Sequence, residues 1–474
     1  MKRIVGTALA VVCAVCLPAS RATARNIEEI LQEKKLITPA EAKEAKSADP
    51  AKQVPAAPET PAAAPALSEK ETASLTKTIL DQVPQWVNKI TPFGDVRVRN
   101  ESFWQSGSPD RNRDRFRLRV GATVKVNDQT QVGFRLASGK ASDPISNNQT
   151  FSDTFGFKSV NIAEAYLKFA PTTLIGLSRP IFTVMGGKFY NPMYAPASAP
   201  NMLQFDRDLA PEGGFENIKA IESKDGVIRG LGLNLSQFVF SENSASSEGA
   251  LFGFQGLANL AFGNVLANVA LGDSYYSKAS WIGKARNSNS DLNITNNVTL
   301  SDGEIVGGKP VDPSKLGPNG DGKDANGKPI TITGFVSDYN IVDLAGDVTV
   351  PTPWWDFPVN VFGDFAYNTA AKTSEDVGWQ IGARVGRYAD RNDMFLTYEY
   401  EQLQTDAVLS AFGDSDFGRS GGTNTKGHVI QAGYVVLKNL SLLSTLYIDK
   451  PIDSVPGRNG NTDYRWQVDA VAKF

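Results

Sequence analysis

The sequence predicts an all-β fold: a closed antiparallel transmembrane β-barrel of about 16 strands behind a short N-terminal extension, helical and Pro/Ala-rich. From residue 93 apolar and polar side chains alternate with a period of two, and short connections alternate with long ones. The 474 residues include 42 Gly, mean hydropathy is −0.24, and beyond the first two dozen residues no apolar run approaches the ~18 residues of a membrane helix. A helical membrane protein is therefore excluded.

Residues 1–24 are predicted to be a signal peptide, which implies export. Lys2 and Arg3 precede the apolar stretch 4–17, and residues 22–24 (ATA) form a small-residue cleavage site. Both cysteines, Cys13 and Cys16, lie in this segment, and the valine before each makes lipidation unfavourable. The mature chain is then thiol-free, which excludes disulfides, thiolate metal sites and cysteine nucleophiles.

Residues 25–92 are predicted to lie outside the barrel as a periplasmic extension. Residues 25–48 form a short helical segment, with a capping box that starts at Thr38. Residues 49–92 are a Pro/Ala-rich linker followed by an amphipathic stretch. Two interpretations stay open: an anchor or coiled-coil stalk that binds peptidoglycan or itself through residues 26–46, and an extension without fixed structure.

The last ten residues show the clearest strand pattern. Apolar and aromatic residues alternate with mostly polar ones up to the final Phe474, over the ~9–11 residues of a transmembrane strand. We expect this strand, with Trp466 and Phe474, to be the signal for the barrel-assembly machinery. Continuing the pattern gives the strands 94–104, 113–126, 131–139, 159–169, 181–188, 214–221, 231–241, 250–262, 265–275, 335–350, 358–368, 377–387, 394–403, 427–437, 440–449 and 464–474.

The connections predict the orientation of the barrel. Those at 127–130, 263–264 and 438–439 are short, whereas 189–213, 276–334 and 404–426 are long. Outer-membrane barrels have short periplasmic turns and long external loops, and an even strand number returns both termini to the periplasm. Tryptophans near the predicted strand ends fit the aromatic girdles of such barrels: Trp104, Trp281, Trp354, Trp355, Trp379 and Trp466.

Basic residues dominate the polar face of the first three strands. Since Phe116, Leu118 and Val120 on the opposite face need lipid, the basic face must line a water-filled lumen, which a barrel of this size retains. The predicted pore wall is Arg97, Arg99, Arg113, Arg115, Arg117, Arg119, Lys125 and Arg135.

The long connection 189–213 is predicted to fold inward as the constriction. Its acids Asp206, Asp208 and Glu212 would face the basic wall and set a transverse field that biases ion passage. An external lid is the alternative. The sign of the selectivity stays open, because the chain has 51 acidic against 48 basic residues while the wall strip is basic.

Four segments carry a resemblance to a known family. Residues 205–213 (FDRDLAPEG), 187–192 (GKFYNP), 93–99 (FGDVRVR) and 114–119 (DRFRLR) are similar to the putative-porin family of bacterial outer membranes. The resemblance covers about residues 90–474. It implies a channel for passive diffusion of ions and small hydrophilic solutes, without cofactor, and a homotrimer as in related general porins.

Three further hypotheses concern a barrel enzyme, a calcium site and a structural anchor. A barrel enzyme would need a nucleophile and base, but the single histidine, His428, begins a strand and fits a structural role. A calcium site in 319–327 (NGDGKDANG) departs from the EF-hand spacing, so a surface loop is favoured. A structural anchor or adhesin that uses the stalk and long loops stays open.

Overall fold

The computed structural model describes residues 87–172, 179–244, 247–316, 322–352, 357–419, 421–455 and 460–474. The predicted signal peptide, the helical segment 25–48 and nearly all of the linker 49–92 lie outside these residues. Within them, no helix is long and apolar enough to cross a membrane.

Sixteen antiparallel strands form a closed barrel, which confirms the predicted fold. Each strand pairs with the next, and the last pairs with the first from Asp95–Lys473 to Trp104–Tyr464. The strands are β1 (Ile90–Trp104), β2 (Arg111–Lys125), β3 (Thr130–Ser138), β4 (Val160–Phe169), β5 (Phe182–Lys188), β6 (Glu212–Glu222), β7 (Ile228–Ser241), β8 (Gly249–Phe262), β9 (Val265–Ser277), β10 (Asn340–Val350), β11 (Val359–Asn368), β12 (Val377–Gly386), β13 (Met394–Leu403), β14 (Thr425–Leu437), β15 (Leu440–Lys450) and β16 (Asp463–Lys473).

One predicted strand was wrong in extent. The expected strand 335–350 is two elements: β10 begins at Asn340, and Ile332–Phe335 pairs instead with Val298–Leu300 in a small sheet within the connection 278–339. Side chains alternate in both pieces, so periodicity alone joined them. The short strand Gln149–Thr150 also adds to β2, beyond the end of β3.

Alternation sorts the side chains between the outer surface and the lumen. On β1, Val96 and Val98 are exposed on the outer surface, whereas Asp95 and Arg99 are buried inside the barrel. Every strand must place its apolar face outward because the lipid core accepts no unpaired polar group. The lumen therefore receives nearly all the charged residues of the wall.

The tryptophans only partly match the predicted girdles. Trp379 and Trp466 lie on barrel strands, two and three residues from the ends that bear long connections. Trp281 does not, because it belongs to a short helix (Ser280–Ala285) in the connection 278–339, where Lys284 lies over its ring. Trp354 and Trp355 fall outside the described residues.

The two ends of the barrel differ as expected. Connections 126–129, 263–264 and 438–439 close one end, which we call the short-turn rim; the two-residue turns use left-handed backbone at Gly263 and Asn439. Connections 189–211, 278–339 and 404–424 leave the other end, the long-loop rim. These three long connections share one hydrophobic core, in which Leu203, Leu409 and Ile294 are almost completely buried.

Closure of the barrel predicts a sensitive position at Gly94. The amide groups of Gly94 and Phe474 exchange two hydrogen bonds of 2.8 and 3.0 Å, and a Cβ on Gly94 would lie 2.5 Å from the Phe474 ring and 2.7 Å from the Arg119 carbonyl. We expect Gly94→Val to destabilise the barrel by about 1–3 kcal/mol. The midpoint of urea unfolding measures this. Gly186→Val is the control, since its Cβ meets no atom within 4 Å; equal loss in both variants would contradict the account.

Candidate pore constriction

The connection 189–211 runs through the lumen. Its Tyr194 amide donates to Gln255 on β8 (2.7 Å) and its hydroxyl donates to Asp347 on β10. Further along, Asn201 donates to Glu401 on β13 (3.2 Å). Since β8, β10 and β13 contribute inward-facing side chains to three different parts of the wall, a segment that contacts all three lies inside the barrel.

A second connection, 404–424, also folds inward, which sequence analysis did not anticipate. Asp416 accepts hydrogen bonds from Arg99 on β1 (2.9 Å) and from Arg465 on β16 (2.7 Å). Two hydrogen bonds join the two inward connections: the Asp206 amide donates to the Phe412 carbonyl (2.7 Å), and the Ser415 amide donates to the Asp206 carboxylate (2.9 Å). The narrowing of the lumen is thus built by two segments.

The predicted basic wall carries its own carboxylates. Asp95 accepts from Arg117 (2.8 Å) and Arg119 (2.6 Å). Asp469 accepts two hydrogen bonds from Arg99, at 2.6 and 2.8 Å. These charge-assisted pairs fix the guanidinium groups in place and neutralise much of the strip.

A third wall carboxylate, Glu101, forms ion pairs with the arginines nearest the long-loop rim. Arg113 donates to it, Arg465 donates to it at 2.8 Å, and the Arg115 guanidinium lies 3.8 Å away. Glu101 is fully buried, so these cations replace the water it loses. Glu101, Asp95 and Asp469 were not among the predicted site residues, although each occupies an inward position in the alternation of its own strand.

Asp208 connects the inward connection 189–211 to the arginines of the barrel wall. Its carboxylate lies 3.4 Å from Arg119 and 3.7 Å from Arg117, and it accepts from the Asn147 amide (3.3 Å). Burial alone would raise the pKa of Asp208, but Arg117, Arg119 and Arg97 hold that pKa below its usual range. Asp208 therefore stays ionised as the acidic side of the contact between loop and wall.

Asp206 lies in a different environment. Burial, together with repulsion from Asp414 and Asp208, raises the pKa of Asp206 well above its usual value. Burial and the neighbouring Asp416 raise the pKa of Asp414 to about 6. The junction between the two inward connections is thus a carboxyl pair that takes up protons readily.

Three of the predicted site residues lie elsewhere or have other partners. Glu212 is the first residue of β6, is mostly exposed, and pairs with Lys188 (2.9 Å) rather than with the wall arginines. Lys125 is exposed at the short-turn end of β2. Arg135 is inward-facing but pairs with Glu164 (2.8 Å) and covers the ring of Tyr190, 3.4 Å from its centroid.

A cavity of about 520 Å³ lies on the short-turn side of the constriction. Among its lining residues, Arg97 donates to Asn148 (2.8 Å) and lies 4.0 Å from Asp469, and Arg384 donates to Thr397 (2.8 Å) above the Phe395 ring. The basic lining residues are Arg97, Arg99, Arg117, Arg119, Arg207, Arg384 and Lys473, and the acidic ones are Asp206, Asp208, Asp414, Asp416 and Asp469.

The opposite wall is acidic. Asp343 and Asp347 on β10 and Asp364 on β11 alternate inward on strands roughly opposite β1 and β2, whereas Glu399 and Glu401 face inward from β13, about a quarter of the circumference from β1. The lumen thus has a basic side and an acidic side, with the inward connections between them. Among the described residues no cluster has the arrangement of a metal site.

A closed barrel with inward loops and a charged constriction is the architecture of a pore, and the sequence comparison decides the family. A family model described as "Putative porin" matches residues 103–474. The chain belongs to the putative porin family. This porin is therefore placed among outer-membrane channel proteins, as the resemblance predicted. No curated protein matches its sequence.

Solved structures match the barrel at low identity. OprB of Pseudomonas putida at high pH is 11% identical with a TM-score of 0.51, covering 85% of this chain and 97% of that one. OmpF of Salmonella typhi in complex with daunomycin is 11% identical with a TM-score of 0.46, covering 83% and 99%. An anion-selective porin from Comamonas acidovorans is 12% identical with a TM-score of 0.44, covering 81% and 99%. The likeness to OprB shows the fold of this porin.

The carboxyl pair predicts pH-dependent selectivity. Lowering the pH from 7 to 5 crosses the pKa of Asp414, about 6, and removes a negative charge from the constriction. One charge is worth on the order of 1 kcal/mol at ~15 Å and an effective dielectric of ~20, so the anion-to-cation permeability ratio should rise several-fold. Reversal potentials in a KCl gradient measure it.

Asp414→Asn should raise the ratio at pH 7 and reduce its further change on acidification. Asp143, whose pKa burial raises to about 6 in the connection 139–159, and Asp206 at the junction would both contribute to the remaining change. Asp143→Asn is the second variant, and it should reduce the pH response less than Asp414→Asn does, because Asp143 does not line the cavity beside the constriction. A pH response in Asp414→Asn as large as that of the unaltered protein would contradict the assignment.

Proposed function

We propose that this porin forms a water-filled channel through which ions and small hydrophilic solutes diffuse passively. The observation that supports this most directly is the pair of inward connections, 189–211 and 404–424, which contact the charged wall and leave a cavity lined by ionised groups on the short-turn side. Such a channel selects by size at the constriction and by electrostatic bias along the lumen, without a chemical step.

The bias arises from the separation of charge across the lumen. Arginines of β1 and β2 lie on one side, and the carboxylates of β10 and β11 lie roughly opposite them. A solute in the constriction would cross a field perpendicular to its path, and low-dielectric walls concentrate such a field. Polar solutes that can turn their dipoles along this field would pass preferentially.

The preferred ion is an anion on this proposal. Seven basic and five acidic side chains line the cavity, and the pKa of two of these acids, Asp206 and Asp414, is raised. The local charge is therefore positive although the chain as a whole has a net charge of −3. Attraction of counter-ions into a cleft of one sign acts on the local field rather than on the net charge.

Removing the charge of Asp208 tests whether the connection 189–211 forms the constriction. Asp208→Asn retains the shape but frees Arg117 and Arg119 from their loop partner, so the anion-to-cation permeability ratio should rise several-fold. Reversal potentials in planar bilayers report this ratio, and stable ohmic steps distinguish a channel from a closed anchor or adhesin. Glu212→Gln is the matched control, since Glu212 pairs with Lys188. An equal response in both variants would place the constriction elsewhere.

Export and assembly complete the proposal. Residues 1–24 would direct export, and the C-terminal strand with Trp466 and Phe474 would be recognised by the assembly machinery. The segment 26–46 would bind peptidoglycan or associate with itself below the barrel. These roles rest on the sequence patterns.

A homotrimer is supported by polar groups on the outer surface of β1 and β2. Asn100 donates to Asp114 (2.8 Å) and Ser102 donates to Asn112 (2.5 Å), all facing outward. Hydrogen-bonded amides and a carboxylate are costly against lipid, so this surface suits contact with another subunit.

Oligomeric mass tests this surface. We expect light scattering in detergent to give three times the mass of one chain, and Asp114→Arg to reduce it to that of one chain because a long cation enters the interface. Asp225→Arg, in an exposed turn at the short-turn rim, makes the same charge change and should stay trimeric. A monomeric wild-type protein would contradict the proposal.

A further inference from the structure

Strands β5 and β6 stop early and leave a notch in the barrel wall at the long-loop rim. The last β5 residue, Lys188, pairs with Ala165 on one side and Glu212 on the other. Beyond that level β4 continues through residues 160–164 and β7 through residues 239–241. In the described part of the chain these two edges have no strand partner across the notch.

A cavity of about 400 Å³ lies in this notch, and its lining residues come from both the outer and the lumenal side of the wall. One of its lining residues, Ile162, lies on the outward face of β4 and is 66% exposed, whereas another, Asp208, belongs to the constriction. Phe240 of β7 lines the opposite edge, and Trp281 of the connection 278–339 also lines the cavity. Its volume falls in the range of small-molecule binding sites, ~300–1,000 Å³.

The polarity of the lining changes along this path. Outside the wall, Phe157 is fully exposed and Val160 is 53% exposed beside Ile162. On the lumenal side of the wall, Phe240 of β7 and Phe412 of the connection 404–424 line both the notch cavity and an adjoining one of about 200 Å³. At the inner end Asp208 also lines the cavity that holds Arg97, Arg117 and Arg119. The notch cavity itself also has charged lining residues of both signs, Lys140, Asp143, Lys188 and Glu212, so the path leads from an apolar outer surface through a mixed lining to the arginines inside.

The notch-facing edges of β4 and β7 restrict the class of ligand that can occupy the notch. Unpaired peptide groups along residues 160–164 require water or a polar ligand, since non-helical backbone at membrane depth persists only beside protein or a water-filled cavity. A hydrocarbon chain alone would leave these groups unsatisfied, and a small hydrophilic ion would not use the aromatic side chains. A molecule with both an apolar body and an anionic head matches both ends of the path.

We propose that the notch between β4 and β7 is a lateral opening through which an amphiphilic organic anion, of the class of medium-chain carboxylates, enters the lumen with its carboxylate foremost. The apolar chain contacts Phe240 and Phe412, and the carboxylate reaches Arg117 and Arg119 past Asp208. The proposal rests on the channel function proposed above, because the lumen must lead onward to the short-turn rim.

Cysteine labelling in liposomes tests whether the notch opens to the bilayer. The chain has cysteine only at positions 13 and 16, in the predicted signal peptide, so the unaltered protein is the labelling blank. Ala163→Cys at the notch should react with a lipid-soluble pyrene maleimide about as fast as Leu167→Cys, which faces outward and is exposed. Gln431→Cys, which lines the inner cavity, should not react.

Chain length tests the ligand. Each pair of methylenes should strengthen binding about tenfold if the chain is buried, so decanoate should slow labelling of Ala163→Cys at about one-tenth of the octanoate concentration, and gluconate should not slow it. Phe240→Ala with Phe412→Ala should weaken the decanoate effect about tenfold or more, whereas Phe262→Ala, exposed at the far end of β8, should not.

Ion conductance of the same variants separates the two proposals. If conductance persists while Ala163→Cys reacts only with a charged, water-soluble maleimide, the lateral opening is wrong and the channel stands. Labelling that is insensitive to decanoate, or equally sensitive to gluconate, overturns the ligand class. If conductance is absent throughout, the channel function is wrong, and with it the lumen route that the carboxylate would take.

Discussion

The backbone hydrogen bonds between the first and last strands are the constraint on which the rest of the structure depends. An unpaired amide or carbonyl costs several kcal/mol in hydrocarbon, so a membrane sheet must close upon itself. Here the ladder runs from Asp95–Lys473 to Trp104–Tyr464 and continues through the two bonds between Gly94 and Phe474. Gly94 has no side chain, and this lets the terminal ring lie against the first strand.

Closure of the barrel places the charged side chains in the lumen, and these side chains then form ion pairs with the inward connections. Once the apolar face of each strand meets lipid, arginines and carboxylates from neighbouring strands share a narrow lumen and must pair, as Arg117 does with Asp95. Cations that the wall leaves incompletely paired recruit acids from the loops: Asp416 joins Arg99 to Arg465. Removing one member of such a buried pair leaves an uncompensated charge, so the loop positions are strongly specified.

The barrel could be predicted almost strand by strand, because one physical rule governs every membrane strand. A side-chain period of two reports which face of a strand a residue occupies, and for this reason the arginines of β1 and β2 could be assigned to one face. It does not report neighbours across strands. The pairing of Asp95 with Arg117 and Arg119 depends on the register of β1 against β2, and that of Asp469 with Arg99 depends on closure of the barrel.

The loops were less predictable, since an inward fold has no periodic signature. Asp414 and Asp416 lie in a connection rich in Gly and Ser that resembles any surface loop in sequence. It turns inward because Asp416 pairs with arginines of β1 and β16 and because its apolar residues join the core that the long connections share. Glu212 was assigned to the constriction because the predicted connection extended to residue 213, but β6 already begins at Glu212 and its side chain pairs with Lys188.

The inward path of the connection 189–211 both narrows the lumen and leaves a gap in the wall. The connection 189–211 can reach the centre of the barrel only by leaving the wall below the long-loop rim, so β5 ends at Lys188 and β6 begins at Glu212, level with it. The wall above that level loses two strands, and their neighbours β4 and β7 keep edges that need polar partners. The cavity beside the constriction leaves room for water or a polar ligand at those edges. The proposed side opening thus follows from the same requirement that closes the barrel elsewhere, namely that each backbone amide and carbonyl needs a hydrogen-bond partner.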